Sequence, residues 1–208
     1  MSTIKTNQLA HTANGASVYT LPQTDGSAGQ VLRTDGNGNL SWVDDQGGKI
    51  LQIVQEAKTG TASGTAGQGT NDNSSGLTGD LISKAITPSN VNNKILVRAS
   101  LMVGIDDDKQ VFAQLFKNGS VIVAARGASS VRQQVSAATY VTSSGRTSQI
   151  THEYLDTAGS TSAITYSYRF SHDSSATRTI WLNRDNTNSG NVFYVRGYSS
   201  LTLTEIAA

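Results

Sequence analysis

Cysteine is absent from all 208 residues. That excludes disulfides, thiolate metal sites and a cysteine nucleophile. Proline occurs twice, aromatic residues make up 6% of the chain and charged residues 15%. The 16 basic and 15 acidic side chains leave a net charge of +1 and form no block of either sign. Binding to a phosphate backbone leaves a clustered Lys/Arg footprint, so nucleic acid is not an expected partner. No run approaches the roughly 18 apolar residues of a membrane-spanning helix, so membrane insertion is not expected. The opening residues MSTIKTNQLAHTANG lack the apolar core of a signal peptide, which argues against export by the general secretory route. Periodic blocks of Leu, Ala, Glu and Lys, from which long amphipathic helices are built, are also missing.

What is present is small and polar. Ser, Thr, Gly and Asn supply 84 of the 208 residues. With apolar residues at 37%, this composition points to an all-β protein with many turns. If such a cysteine-free chain is exposed outside cells, it must be stabilised without disulfides, and forming oligomers is the usual route.

Read in order, residues 1–20 carry only scattered apolar positions (Ile4, Leu9, Val18). Two readings are open: a flexible leader, or an arm that orders on docking to a partner. Two short apolar runs then flank Asp35-Gly36-Asn37-Gly38, whose Asp-Gly and Asn-Gly steps supply the positive φ of a tight hairpin. An isolated hairpin is marginal in water, so this one needs a partner surface. TDGSAGQ at 24–30 and TDGNGNL at 34–40 are loosely similar at a ten-residue offset. The polar joint after Val43 divides the chain into an N-terminal segment over residues 1–46 and a second domain over 47–208.

In the second domain, KILQIVQ reads as a strand and Lys58–Gly79 as a long structureless loop, ordered by a neighbour or mobile. Leu81–Thr87 follows as a strand before the turn at Pro88. Lys94–Gly104 alternates, with Ile95, Val97, Ala99, Leu101 and Val103 on one face and Arg98 and Ser100 on the other. Asn118-Gly119 between two apolar runs marks a hairpin. Arg132–Thr142, Thr147–Leu155, Ile164–Phe170, Thr179–Asn183, Asn191–Arg196 and Ser199–Ile206 complete about ten antiparallel strands, counted from spacing and short connections. The expected fold is an antiparallel β-sandwich of jelly-roll type.

Residues able to carry chemistry are sparse. His11, His152 and His172 show no HxH or HExxH spacing, so satisfied or surface histidines are expected rather than zinc ligands. Asp106-Asp107-Asp108 is a turn that lacks the EF-hand pattern, leaving a calcium role open. No Gly-x-Ser-x-Gly elbow occurs. Paired carboxylates for glycoside hydrolysis would have to come from Glu56, Glu153, Asp156, Asp173, Asp185 and Glu205. Glu205 lies in the last strand and reads as a buried interface charge. No titratable constellation stands out, so neither an enzyme nor a cofactor is expected. The late aromatics read as strand-borne core or interface anchors, with a stacking platform for glycans as the alternative for any that are exposed. Tyr194, Arg196 and Tyr198 alternate on one strand and suit a subunit interface or a receptor face. The loops at 58–79, 105–109, 126–131 and 184–190 are the expected places for variable contacts.

LPQTDGSAGQVLRTDGNGNLSWV resembles a segment of tail-fibre and virion-appendage proteins of tailed bacteriophages, including cyanophages and other marine phages. Leu21-Pro22, Asp25-Gly26, Gly29-Gln30-Val31-Leu32, Thr34-Asp35-Gly36 and Leu40-Ser41-Trp42 stand in the family's order. Downstream, KILQIVQ, ITPSNVNNKILVRASLMVG, KNGS, YLDT and SSLTLTEI resemble the globular heads of the same group. The resemblance implies a homotrimeric virion protein whose N-terminal segment docks on other virion proteins of tail, baseplate or capsid. Leu21, Pro22, Leu32, Leu40 and Trp42 are then the docking anchors, and the head faces host surface polysaccharide. Nothing between Val43 and Lys49 can form an extended shaft, so a short fibre is expected. The alternatives are a capsid decoration or joining protein without a receptor role, and a glycan-degrading tailspike.

Overall fold

The computed structural model describes residues 6–10, 18–45, 49–69, 75–123, 134–188, 190 and 195–208. The chain separates into two units, Met1–Gly48 and Lys49–Ala208.

In the first unit, β1 (Gln8–Ala10) pairs with β2 (Val18–Thr20), and β3 (Gln30–Thr34) with β4 (Leu40–Asp44). Gly36 and Gly38 adopt φ of 82° and 91°, as the Asp-Gly and Asn-Gly steps require. Asp35 fastens this turn: its Oδ1 accepts the N–H groups of Asn37 (2.7 Å) and Asn39 (3.1 Å), and its Oδ2 accepts the Asn39 amide at 2.7 Å. Those bonds, the Asn39 amide foremost, hold the Asp35 carboxyl below the ordinary carboxylate range. The two hairpins are stitched by the Thr20 N–H, which donates to the Gly38 carbonyl at 2.7 Å. Gly38 must be glycine for a second reason, since a Cβ there would lie 2.8 Å from the Val18 carbonyl oxygen. The stretch before Gln30 is thus half of a paired unit, where the sequence shows only scattered apolar positions; His11 lies outside the described residues.

The second unit is built on period-two alternation. β5 (Ile50–Lys58), β6 (Ala62–Ala66), β7 (Ile82–Ile86), β8 (Lys94–Ile105), β9 (Lys109–Lys117), β10 (Ser120–Val123), β11 (Ala137–Val141), β12 (Thr147–Thr157), β13 (Ile164–His172), β14 (Arg178–Leu182) and β15 (Ser199–Ile206) follow in order. One sheet runs β5-β15-β8-β12, and β14 and β6 extend it beyond the far end of β15. The other runs β7-β13-β9, with β11 and β10 sharing the next position along β9. Every pairing between these strands is antiparallel. Taking β5, β7, β8, β9, β11, β12, β13 and β15 as the eight principal strands, the first lies beside the last, then the third, then the sixth. The second lies beside the seventh, then the fourth, then the fifth. That order is the jelly roll, as the sequence led us to expect.

The core lies between the sheets. β8 contributes Ile95, Val97, Leu101, Val103 and Ile105; β13 contributes Ile164, Tyr166, Tyr168 and Phe170; β15 contributes Leu201 and Leu203. These are the inward faces that alternation assigns. The Asn118-Gly119 hairpin is present with φ of 50° and 80°, and the Asn118 side chain accepts the Thr165 N–H at 2.9 Å. On the outer face of the second sheet, Phe112, Gln114 and Phe116 are also buried.

Four expectations need correction. The loop Lys58–Gly79 contains β6, which pairs with β14 through small residues that carry no apolar signal. Gly64 sits there because a Cβ would meet Thr78 Cβ at 2.8 Å. The strand proposed at Asn191–Arg196 reduces among the described residues to a single bridge between Arg184 and Arg196; residues 191–194, Tyr194 included, lie outside them. The strand read from Arg132 to Thr142 is confined, in its described part, to Ala137–Val141. Glu205 is an internal charge and not an interface one. It is fully enclosed, and its carboxylate accepts from the Gln52 amide, the Asn93 amide (2.6 Å) and the Ser89 N–H (2.7 Å) and hydroxyl (2.8 Å). Burial pushes this carboxyl up, but the donors from Gln52, Asn93 and Ser89 outweigh it and hold the pKa at about 2. The group ties the last strand to β5 and to the turn before β8.

Candidate functional site

The outer face of the β5-β15-β8-β12 sheet carries three cross-strand rows, fixed by register. Ile53, Thr204, Leu96 and Leu155 form one; Gln55, Thr202, Arg98 and Glu153 the next; Ala57, Ser200, Ser100 and Thr151 the third. Beyond the third, Met102 stands opposite Gln149. Side chains in neighbouring strands face one another at about 5 Å, so a row made only of Ala, Ser and Thr leaves a depression between taller rows. A trough of about 490 Å³ lies there, lined by Arg98, Ser100, Thr151, Glu153, Ser200 and Thr202 over the backbone of Ala99 and His152.

One side of the trough is the Arg98–Glu153 row; Ile53 and Leu155, 60% and 53% exposed, stand in the row beyond it and outside the lining. Beyond the other side stands Met102, against which the chain entering β15 packs so tightly that a Cβ on Gly197 would lie 2.6 Å from its Sδ. Arg98 Nε donates to Glu153, and both side chains are more than half exposed. Gln149 donates to the Ser100 hydroxyl at 2.7 Å and Gln55 to the Thr202 hydroxyl at 2.8 Å. Under the floor, His152 Nδ1 lies 2.6 Å from the Tyr168 hydroxyl, with the rings edge to face at 5.9 Å. Burial lowers the His152 pKa, so the floor is uncharged at neutral pH. The trough therefore offers hydroxyls, and one cation and one anion that cancel.

The other residues singled out from the sequence are spread over the molecule. His172 is fully buried: its Nδ1 accepts the Ser174 N–H, which leaves Nε2 to donate to the Ala66 carbonyl at 2.9 Å. It is a structural residue. Asp106, Asp107 and Asp108 diverge: Asp107 binds Arg178 at 2.7 Å, Asp106 accepts the Thr179 N–H, and Asp108 bonds to Tyr140. Among the described residues no group of three ligating side chains is placed to hold a metal ion. Asp156 accepts from Lys117 (2.6 Å) and from the Tyr166 hydroxyl (2.7 Å), and buried Asp185 accepts the Asn188 N–H at 2.8 Å. These carboxylates brace the fold.

Arg196 bonds to Asn188, and Tyr198, 64% exposed, stands two residues before Ser200 at the Met102 end of the trough. In the first unit, Trp42 donates its indole N–H to the Thr24 carbonyl at 2.9 Å and lies over Gly26, where a Cβ would come within 2.5 Å of the ring. Leu32 pairs opposite Trp42, Leu40 opposite Thr34, and Leu21 and Pro22 are half-buried. Sequence reasoning missed the trough altogether. Its signal, four small residues in one row, exists only once the register of four strands is known.

No family model and no curated protein matches the chain. Among solved structures it is similar to infectious bursal disease virus, Gx strain (9% identity over 81% of this chain, TM-score 0.37). It is also similar to T=1 particles derived from that virus (10%, 81%, 0.40) and to the virus's VP2 subviral particle (9%, 81%, 0.35). The chain spans about two fifths of the length of those proteins, with 40%, 38% and 40% of each covered. At these values the jelly roll rests on the strand order alone.

Proposed function

We propose that this chain is a non-enzymatic structural protein of a tailed-phage virion: a short trimeric tail fibre or adhesin that docks through residues 1–46 and turns its jelly-roll head toward host surface glycans. The observation that carries the reading is the state of the first unit. None of its described side chains is buried, and Leu9, Val18, Tyr19, Val31, Leu32 and Trp42 are between 38% and 51% exposed. Strands that display apolar side chains and enclose none are built to be covered by something else. The head, by contrast, has a continuous core of its own. The phage-appendage segment at Leu21–Val43 falls within the first unit, in keeping with a docking role.

Trimerisation gives weak single-site contacts the force of several, because the second and third contacts form at high effective concentration. The experiment is deletion of residues 1–48 in the phage, with the protein followed in purified particles. The shortened chain is expected to fold and to be missing from the particle, and its retention would overturn the docking assignment. Gold label on intact particles is expected at the tail; label on capsid faces would replace this reading with a decoration protein. Sedimentation of the full chain should give about three times its 21.9 kDa, and a clean monomer would remove the trimer.

A further inference from the structure

We infer that the trough over Ser100, Thr151, Ser200 and Thr202, between the Arg98–Glu153 pair and Met102, is a binding site for a neutral oligosaccharide. The inference rests on the host-facing head proposed above and names the surface and ligand chemistry that the head uses. It also moves recognition from the loop tips to a sheet face.

Charge is the first argument. Arg98 and Glu153 lie side by side in one row, in contact and more than half exposed. An anionic ligand over Arg98 meets the Glu153 carboxylate, and a cationic one over Glu153 meets the guanidinium. A neutral polyol escapes both penalties and can use both groups, because each of its hydroxyls donates and accepts. Glu153 accepts, the Arg98 fork donates, and the protein's own hydroxyls do either. The uncharged floor adds no sign of its own.

Shape is the second. A cavity of about 490 Å³ falls within the roughly 300–1,000 Å³ of small-ligand sites. It is open along the sheet, which suits a chain of rings passing over a surface rather than a molecule swallowed whole. The C–H faces of sugar rings are apolar, and a chain longer than the trough would pass over exposed apolar side chains outside its lining, Leu155 in the row beyond the Arg98–Glu153 pair and Tyr198 two residues before Ser200. The two sheets differ in the same sense. The outer face of the second is filled by buried Phe112, Gln114 and Phe116, whereas this one is left hollow by its small residues.

The test uses the full chain and calorimetric or NMR titration with neutral gluco-, galacto- and manno-oligosaccharides and a sulfated oligosaccharide of equal length. The expected result is binding of at least one neutral probe with a Kd of about 1 mM or tighter per site. Thr151→Trp and Ser200→Tyr, which fill the trough from an exposed and a half-exposed strand position, should each weaken that binding tenfold or more with an unchanged melting temperature. Glu153→Gln, which leaves Arg98 without its counter-charge, should strengthen binding of the sulfated probe at least threefold. The inference is overturned if no neutral probe binds, if the wild type prefers the sulfated one, or if both filled variants retain full affinity. In the last case sugar is bound elsewhere on the head, and the virion reading stands untouched. A fall in sedimenting mass for either variant would likewise overturn it, making this face a contact between copies. Failure of the virion reading shows instead in the particle experiments, which involve no sugar.

Discussion

The N-terminal unit and the head are both antiparallel β, and each has a tight turn on an Asn-Gly step, Asn37-Gly38 and Asn118-Gly119, yet they differ in what those strands enclose. In the head, β8, β13 and β15 present one apolar face each to a shared interior, and Tyr166, Tyr168 and Phe170 are wholly removed from water. In the N-terminal unit, β3 and β4 pair in register but bury nothing. Its geometry comes from local bonds around Asp35, from the Trp42 indole on the Thr24 carbonyl, and from glycines that allow close approach. Hydrogen bonds among exposed groups exchange for water at little net gain, whereas enclosed apolar area does not. The first unit therefore has a defined shape without a store of stability, which is what a docking element needs.

The largest break in this comparison comes from the head's interior. Phe170→Ala removes a fully buried ring between two packed sheets and should cost about 3–5 kcal/mol, read as a fall in the urea midpoint at unchanged slope. A substitution of equal size in the first unit, Trp42→Ala, has no such reserve to draw on.

Next comes Glu205. Glu205→Ala leaves donors from Gln52, Asn93 and Ser89 without their acceptor in an enclosed site and should cost roughly 3 kcal/mol at neutral pH. Its pKa falls from 4.5 in the unfolded chain to about 2 in the folded one. The carboxylate's stabilisation is therefore fully present above pH 4.5 and is lost as pH drops toward 2. Urea midpoints of wild type and variant should differ most near neutrality and converge in acid. A gap that stays constant down to about pH 2 would show that the carboxylate's charge is not what stabilises the site.

A smaller effect is expected at Asn183, a buried residue with φ of 67° whose amide donates to the carbonyls of Lys58 and Gly60, both at 2.7 Å, and accepts the Ser199 hydroxyl. It joins the β5–β6 turn, the end of β14 and the start of β15. Asn183→Ala should cost roughly 2 kcal/mol and speed amide exchange in β6, which follows directly on the Lys58 and Gly60 carbonyls it holds.

These sites show where sequence reading reaches and where it stops. The period-two faces of β8 and β13 and the Asn118-Gly119 hairpin were legible because one side of each strand is apolar and the turn needs positive φ. The jelly roll followed from strand number and spacing. β6 was not legible: Ala62–Ala66 carries almost no apolar side chain and becomes a strand only through its pairing with β14. Glu205 and Asn183 look like any polar residue in a strand or turn, since most of their partners (Gln52, Ser89 and Asn93 for one, Lys58 and Gly60 for the other) lie over 100 residues away in sequence. The trough was invisible for a related reason. Its walls come from β15, β8 and β12, and only the offsets between those strands set Ser200, Ser100 and Thr151 abreast.

The smallest expected effect is the sharpest test of the two-unit comparison. Trp42→Ala should leave the head's melting temperature and urea midpoint unchanged, because the indole's partners, Thr24 and Gly26, all lie within the first unit. Inside that unit the change should be complete. Without the ring over Gly26, the Leu21–Gly29 stretch loses the side chain that holds it to β4, so protease should cut there at much higher rate and the indole-shifted resonances of that stretch should vanish. The same variant separates shape from docking: if the N-terminal unit must be ordered before it meets the particle, incorporation falls with the ordering. If the particle imposes the order, incorporation survives while the free protein is cut faster, and the unit is an arm that folds on docking rather than a preformed plug. A drop in the head's midpoint would instead mean that the two units share stability, and the comparison on which their separate roles rest would fail.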